Sequence, residues 1–78
     1  RLPAGAFDLV LIDPPYGDAA LGEILDAAAR IVAAGGLIVL EHGARRPAPA
    51  GAGAFPRART LAAGDSALSF YPAPEHGG

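Results

Sequence analysis

Phe7-Asp8-Leu9-Val10-Leu11-Ile12-Asp13-Pro14-Pro15-Tyr16-Gly17 is the stretch whose reading decides the fold. Its first six residues are apolar except for Asp8 and rich in strand formers. Continuous rather than alternating hydrophobicity predicts a parallel strand covered on both faces. The double proline stops it, because proline has no amide hydrogen to give to a sheet ladder. Asp13 to Gly17 therefore reads as a sharp loop at the carboxyl end of a buried strand.

Working outward, Leu21, Ile24, Leu25, Ala28, Ile31 and Val32 recur at helical spacing and form one apolar stripe, which predicts a helix between Ala19 and Ala34. Asp18 is the expected N-cap, and Gly35 suits the left-handed position that ends a helix. Gly36 to Glu41 (GLIVLE) repeats the continuous apolar character of the first strand. Strand, helix and strand make a β-α-β unit with a right-handed crossover. Gly43 to Ala54 is rich in Gly and Pro and reads as a mobile connection. Arg57 to Leu61 and Ala67 to Tyr71 then read as a β-hairpin turning at Gly64-Asp65. Within its second strand, Ala67, Ser69 and Tyr71 share one face and Leu68 and Phe70 the other. One domain over residues 1–71 and a disordered tail over 72–78 complete the expected organisation.

Composition narrows the function classes. A chain of 78 residues buries only about 60% of its unfolded surface, so its stability is marginal. There is no Cys, and His42 and His76 lie too far apart to suggest paired ligands, so no disulfide and no metal site is expected. A formal charge of -2 argues against a stand-alone nucleic-acid binder, which needs an excess of cations to neutralise phosphates. No apolar run approaches the ~20 residues that span a bilayer, and no secretory pattern opens the chain; the expected location is the cytoplasm, with no membrane partner. The opening residue, Arg1, is read as the mark of a fragment.

The ligand site of an open α/β sheet lies beyond the carboxyl ends of its strands. Asp13-Pro14-Pro15-Tyr16 sits there, and its residue types suit methylation of an exocyclic amino nitrogen. Such a nitrogen shares its lone pair with the ring and attacks poorly while planar. Two acceptors that take both N–H groups favour the pyramidal form: the Asp13 carboxylate and the Pro14 carbonyl, preorganised for a nitrogen that gains positive charge. Tyr16 would stack on the base, worth about 1–3 kcal/mol.

FDLVLIDPPYG, then a helix, then GLIVLEHG, and finally GDSALSFY together resemble the C-terminal half of the bacterial 16S ribosomal RNA guanine-N2 methyltransferase family, over about Phe7 to Tyr71. The resemblance implies an α/β fold: the C-terminal half of a Rossmann-like, class I S-adenosylmethionine-dependent methyltransferase. It further implies S-adenosylmethionine as cofactor and a guanine of ribosomal RNA, free or in the assembling small subunit, as substrate. Asp13 and Pro14 are then the candidate catalytic residues, Pro15 and Tyr16 the candidate substrate-binding residues, and Asp13 also the candidate cofactor-binding residue. A glycine-rich cofactor loop belongs to the N-terminal half of the domain, a partner this chain would need, and the isolated chain is expected to be inactive. The four-residue loop alone also fits an adenine-N6 enzyme, and a truncated non-catalytic module paired with another chain is the alternative outside catalysis.

Other residues have plainer readings. Asp8 and Asp18 suit a strand edge and a helix cap. Glu41 and His42 end the second strand on the ligand side, where a lone His is first a structural residue. Arg45 and Arg46 can meet RNA phosphates or be solvated loop charges, and Arg57 with Arg59 can form a basic strip on one strand face.

Overall fold

The apolar run forms strand β1, Phe7–Ile12, and ends two residues before Pro14, which has no donor to extend the ladder. The structure, a computed structural model, describes residues 4–14 and 20–75. Helix α1 covers Leu21–Ile31, shorter than the apolar stripe allows. Ala20 is its N-cap and supplies no side-chain bond; Asp18, expected in that role, lies outside the described residues.

The helix stops at Ile31 because Val32 is already extended and opens strand β2, Val32–Gly43, four residues before the expected start at Gly36. The helix-ending role read for Gly35 is thereby corrected. Gly35 does take a positive φ of 76°, but within β2, where the parallel pairing with β1 jumps from Phe7↔Val32 to Leu9↔Leu37. Gly36 follows in a place with no room for a side chain, since a Cβ would stand 2.8 Å from the Asp8 carbonyl oxygen and 2.9 Å from that of Ala33.

Strands β3 (Gly51–Ala52) and β4 (Phe55–Pro56) pair with each other as a short separate ladder. Strands β5 (Arg59–Ala63) and β6 (Ser66–Pro72) form the expected hairpin, turning at Gly64 with φ 61°. The main sheet runs β1-β2-β6-β5, parallel between β1 and β2 and antiparallel thereafter. This is the β-α-β unit plus hairpin that the sequence predicts.

One face of the sheet carries Val10 and Ile12 of β1, Ile38 and Leu40 of β2, and Ser69 and Tyr71 of β6. Against it pack Leu25 and Ala28 of α1 and, from the segment after β2, Ala48, Ala52 and Phe55. That segment is corrected from a mobile connection: it holds a strand pair and buries Ala48 and Ala52, so small residues here let backbone approach the core closely. The other face carries Leu9, Leu11, Leu61 and Leu68, which are 53%, 71%, 47% and 39% exposed. The expectation that β1 is covered on both faces is therefore corrected for this chain: its α1 side is packed and its other side is open. Beyond Tyr71 the chain continues in register. Pro72 closes β6, the Ala73 amide donates to Gly36 O (2.9 Å), and Pro74 O accepts from the Gly35 amide (2.9 Å). The boundary expected after Tyr71 thus falls inside an ordered segment; residues 76–78 lie outside the described ones. No helix among the described residues is long and apolar enough to cross a membrane.

Candidate functional site

Parallel pairing of Ile12 with Leu40 brings the carboxyl ends of β1 and β2 side by side. Asp13 and Pro14 leave the sheet at that edge, Asp13 exposed and Pro14 half-buried. Pro15 and Tyr16, the expected substrate-binding residues, lie outside the described residues. From the adjacent strand the same edge receives Glu41 and His42. Glu41 is exposed and pairs with Leu68 on the open face, whereas His42 pairs with Ala67 on the packed face.

His42 is the centre of a hydrogen-bonded chain that pattern reading did not find. Its Nδ1 lies 3.0 Å from Gly43 O and 2.9 Å from Arg46 O, and its Nε2 lies 2.8 Å from Ser69 Oγ. Carbonyl oxygens only accept, so Nδ1 carries the proton and, in the neutral ring, Nε2 accepts from the Ser69 hydroxyl. Ser69 Oγ in turn lies 2.8 Å from Thr60 Oγ1 and accepts from it. Ser69 is wholly buried, and both bonds offset the cost of burying its hydroxyl. Ser69 was legible as an inward residue from strand alternation. Its partners, Thr60 and His42, follow only from the antiparallel registers Thr60↔Ser69 and Leu40↔Ser69, which no local pattern encodes.

The segment leaving β2 is tied down at one carbonyl after another. His42 Nδ1 donates to Arg46 O, an Arg57 guanidinium N–H to Ala48 O at 2.8 Å, the Tyr71 hydroxyl to Pro49 O at 2.8 Å, and the Arg57 amide to Ala50 O at 2.9 Å. Burial raises the Tyr71 pKa above its usual value, and the nearby Arg57 charge offsets part of the rise. The predicted basic strip of Arg57 and Arg59 is corrected, since the two serve different partners. Arg57 precedes β5 and holds the Ala48 carbonyl, while the Arg59 guanidinium sits 5.5 Å from the centre of the Phe70 ring, its register partner on the open face. Arg45 and Arg46 are exposed in the first turn after β2. Among the described residues no group of three or more His, Cys, Asp or Glu could hold a metal ion.

Comparison with known proteins bears on the family and the fold. The family model described as "Conserved hypothetical protein 95" matches residues 1–72. Among solved structures, a conserved hypothetical protein of Streptococcus pyogenes superposes with a TM-score of 0.70 at 25% identity, covering 94% of this chain and 47% of that one. A candidate methyltransferase of Pseudomonas syringae gives 0.59 at 27% identity, over 92% of this chain and 51% of its own length. A candidate methyltransferase of Escherichia coli gives 0.61 at 23% identity, over 95% and 42%. The chain thus spans about half the length of these structures. No curated protein matches it.

Proposed function

Because the chain belongs to the family described as Conserved hypothetical protein 95 and has the α/β fold of its methyltransferase neighbours, we propose that it is the C-terminal half of an S-adenosylmethionine-dependent enzyme that methylates guanine N2 in 16S ribosomal RNA. The observation that carries this reading is the position of Asp13 and Pro14: an exposed carboxylate and a conformationally restricted carbonyl leave the sheet where α/β folds bind ligands. Asp13 accepts one amino N–H of the base and Pro14 O the other. Together they hold the nitrogen pyramidal and stabilise the positive charge it gains. Tyr16 and Pro15, which follow Pro14 in the sequence, are assigned to holding the displaced base.

S-adenosylmethionine, when bound, supplies an electrophilic methyl group on a sulfonium. The exposed Asp13 carboxylate suits a cationic donor, and it is the residue of this chain assigned to it. The rest of the cofactor pocket is assigned to a complementary N-terminal half of the same domain. A length of about half the solved neighbours, an open apolar sheet face and, among the described residues, a β1 with no strand on its outer edge support that division. The substrate is assigned as ribosomal RNA, naked or in the assembling small subunit.

The test is Asp13→Ala in the methyltransferase that carries this chain, with transfer of labelled methyl groups to ribosomal RNA, small subunits and DNA compared. Loss of a charge-stabilising acceptor should lower turnover by about 10²-fold or more, with a much smaller loss of cofactor affinity because the N-terminal half is assigned most of that pocket. Unchanged turnover ends the proposal, and transfer to DNA alone moves the substrate from guanine in RNA to adenine.

A further inference from the structure

We propose that Thr60, Ser69 and His42 form a directional hydrogen-bond chain that positions the loop after β2 for substrate RNA, with His42 as a positioning residue and Arg45 as the RNA-contacting one. The inference rests on the methyltransferase reading above for the identity of the RNA. With the His42 ring neutral, each hydroxyl hydrogen has one direction available. Thr60 donates to Ser69, Ser69 to His42 Nε2, and His42 Nδ1–H to the Arg46 carbonyl. The chain crosses three strands, β5, β6 and β2, and ends on the backbone of a turn rather than on another side chain. That turn is closed by the Arg46 amide on Gly43 O (3.0 Å) and docked by the Ala44 amide on Asp65 O (2.8 Å).

The geometry has a directional consequence for the loop. Carbonyls 46, 48 and 49 are drawn toward side chains of the sheet and its hairpin, while Arg45 and Arg46 remain exposed. Because β2 ends beside β1, the turn that follows it leaves the same end of the sheet as Asp13 and Pro14. A guanidinium fork held on a fixed turn can engage phosphate bidentately and sets the register of a nucleic acid without reading its sequence. Arg45 is thus an exposed cation on a fastened turn at the reactive end of the sheet, in a chain that is acidic overall.

Two amide replacements of His42 separate the halves of the relay. His42→Asn keeps a donor near the Nδ1 position for Arg46 O but leaves Ser69 without its acceptor. His42→Gln keeps an acceptor near Nε2 but gives up the bond to the turn. In the methyltransferase that carries this chain, His42→Gln should weaken binding of a ribosomal RNA fragment and raise its KM by about tenfold, with kcat at saturating RNA held within about twofold. His42→Asn should stay within about twofold of wild type in RNA affinity. Arg45→Ala, a surface change that leaves folding intact, should weaken RNA binding and lower the slope of affinity against salt by about one. Binding is read by fluorescence anisotropy of the labelled RNA, so it reports on the loop even if methyl transfer to that RNA fails. Equal effects of the two His42 variants, or an unchanged salt slope in Arg45→Ala, would overturn the proposal.

Discussion

Leu9 and Leu11 lie on the open face of β1, 53% and 71% exposed, and share that face with Leu61 and Leu68. Burying a whole leucine side chain is worth about 1.5–3 kcal/mol, so covering what these two expose would recover about 2–4 kcal/mol. With the outer edge of β1 carrying no strand among the described residues, the isolated chain should self-associate through this face. Replacing both by Thr preserves strand propensity, because Thr is β-branched, and keeps one methyl group at each site. The exchange should remove about 1–2 kcal/mol per copy from any association and raise the dissociation constant at least about tenfold. Within one chain the cost should stay near 0.5 kcal/mol or less, as for other surface positions. Sedimentation velocity over a concentration series reads the first effect and urea denaturation the second. A double variant that associates as tightly as wild type, or that unfolds as though two core residues had been cut, would refute the assignment of an open face.

Two further predictions concern the fold itself. Gly36→Ala should destabilise by about 1–3 kcal/mol, since its Cβ would press on backbone oxygens of Asp8 and Ala33, whereas Gly22→Ala in α1 meets nothing within 4 Å and should stabilise by about 0.5–1 kcal/mol; denaturant midpoints that move together would contradict the contrast. Tyr71 has its pKa raised by burial, so its contribution is intact below the unfolded-state value of about 10 and is lost as pH climbs through the higher folded-state value. Tyr71→Phe should flatten that alkaline loss, which thermal melts across the range would show, and a wild-type melt insensitive to pH above the unfolded value would count against the buried hydroxyl.

How far the fold was legible follows the range of the forces involved. β1, α1 and the β5–β6 hairpin each announce themselves through apolar periodicity or a Gly-Asp turn, signals contained within about ten residues. Gly35 misled because a left-handed glycine also serves an irregular parallel ladder, and the Asp8 carbonyl that crowds Gly36 lies far away in sequence. Residues 43–54 read as slack because Gly, Ala and Pro carry no periodic signal. Their anchoring comes from Tyr71 and Arg57, whose reach depends on where β6 lies. At the site, Asp13 and Pro14 were visible as a polar break after an apolar strand. The His42–Ser69 bond spans 27 positions and was not, since it exists only once β2 and β6 are in register.

The stitching of Ala73 and Pro74 onto Gly36 and Gly35 fixes where a label on these two residues would stand. Strand β6 runs opposite to β2, so its last residues lie at the starting end of β2, across the sheet from Asp13. A fluorophore attached at Pro74 would sit at the rear of the sheet, clear of the rim where the base and its methyl donor are assigned to meet.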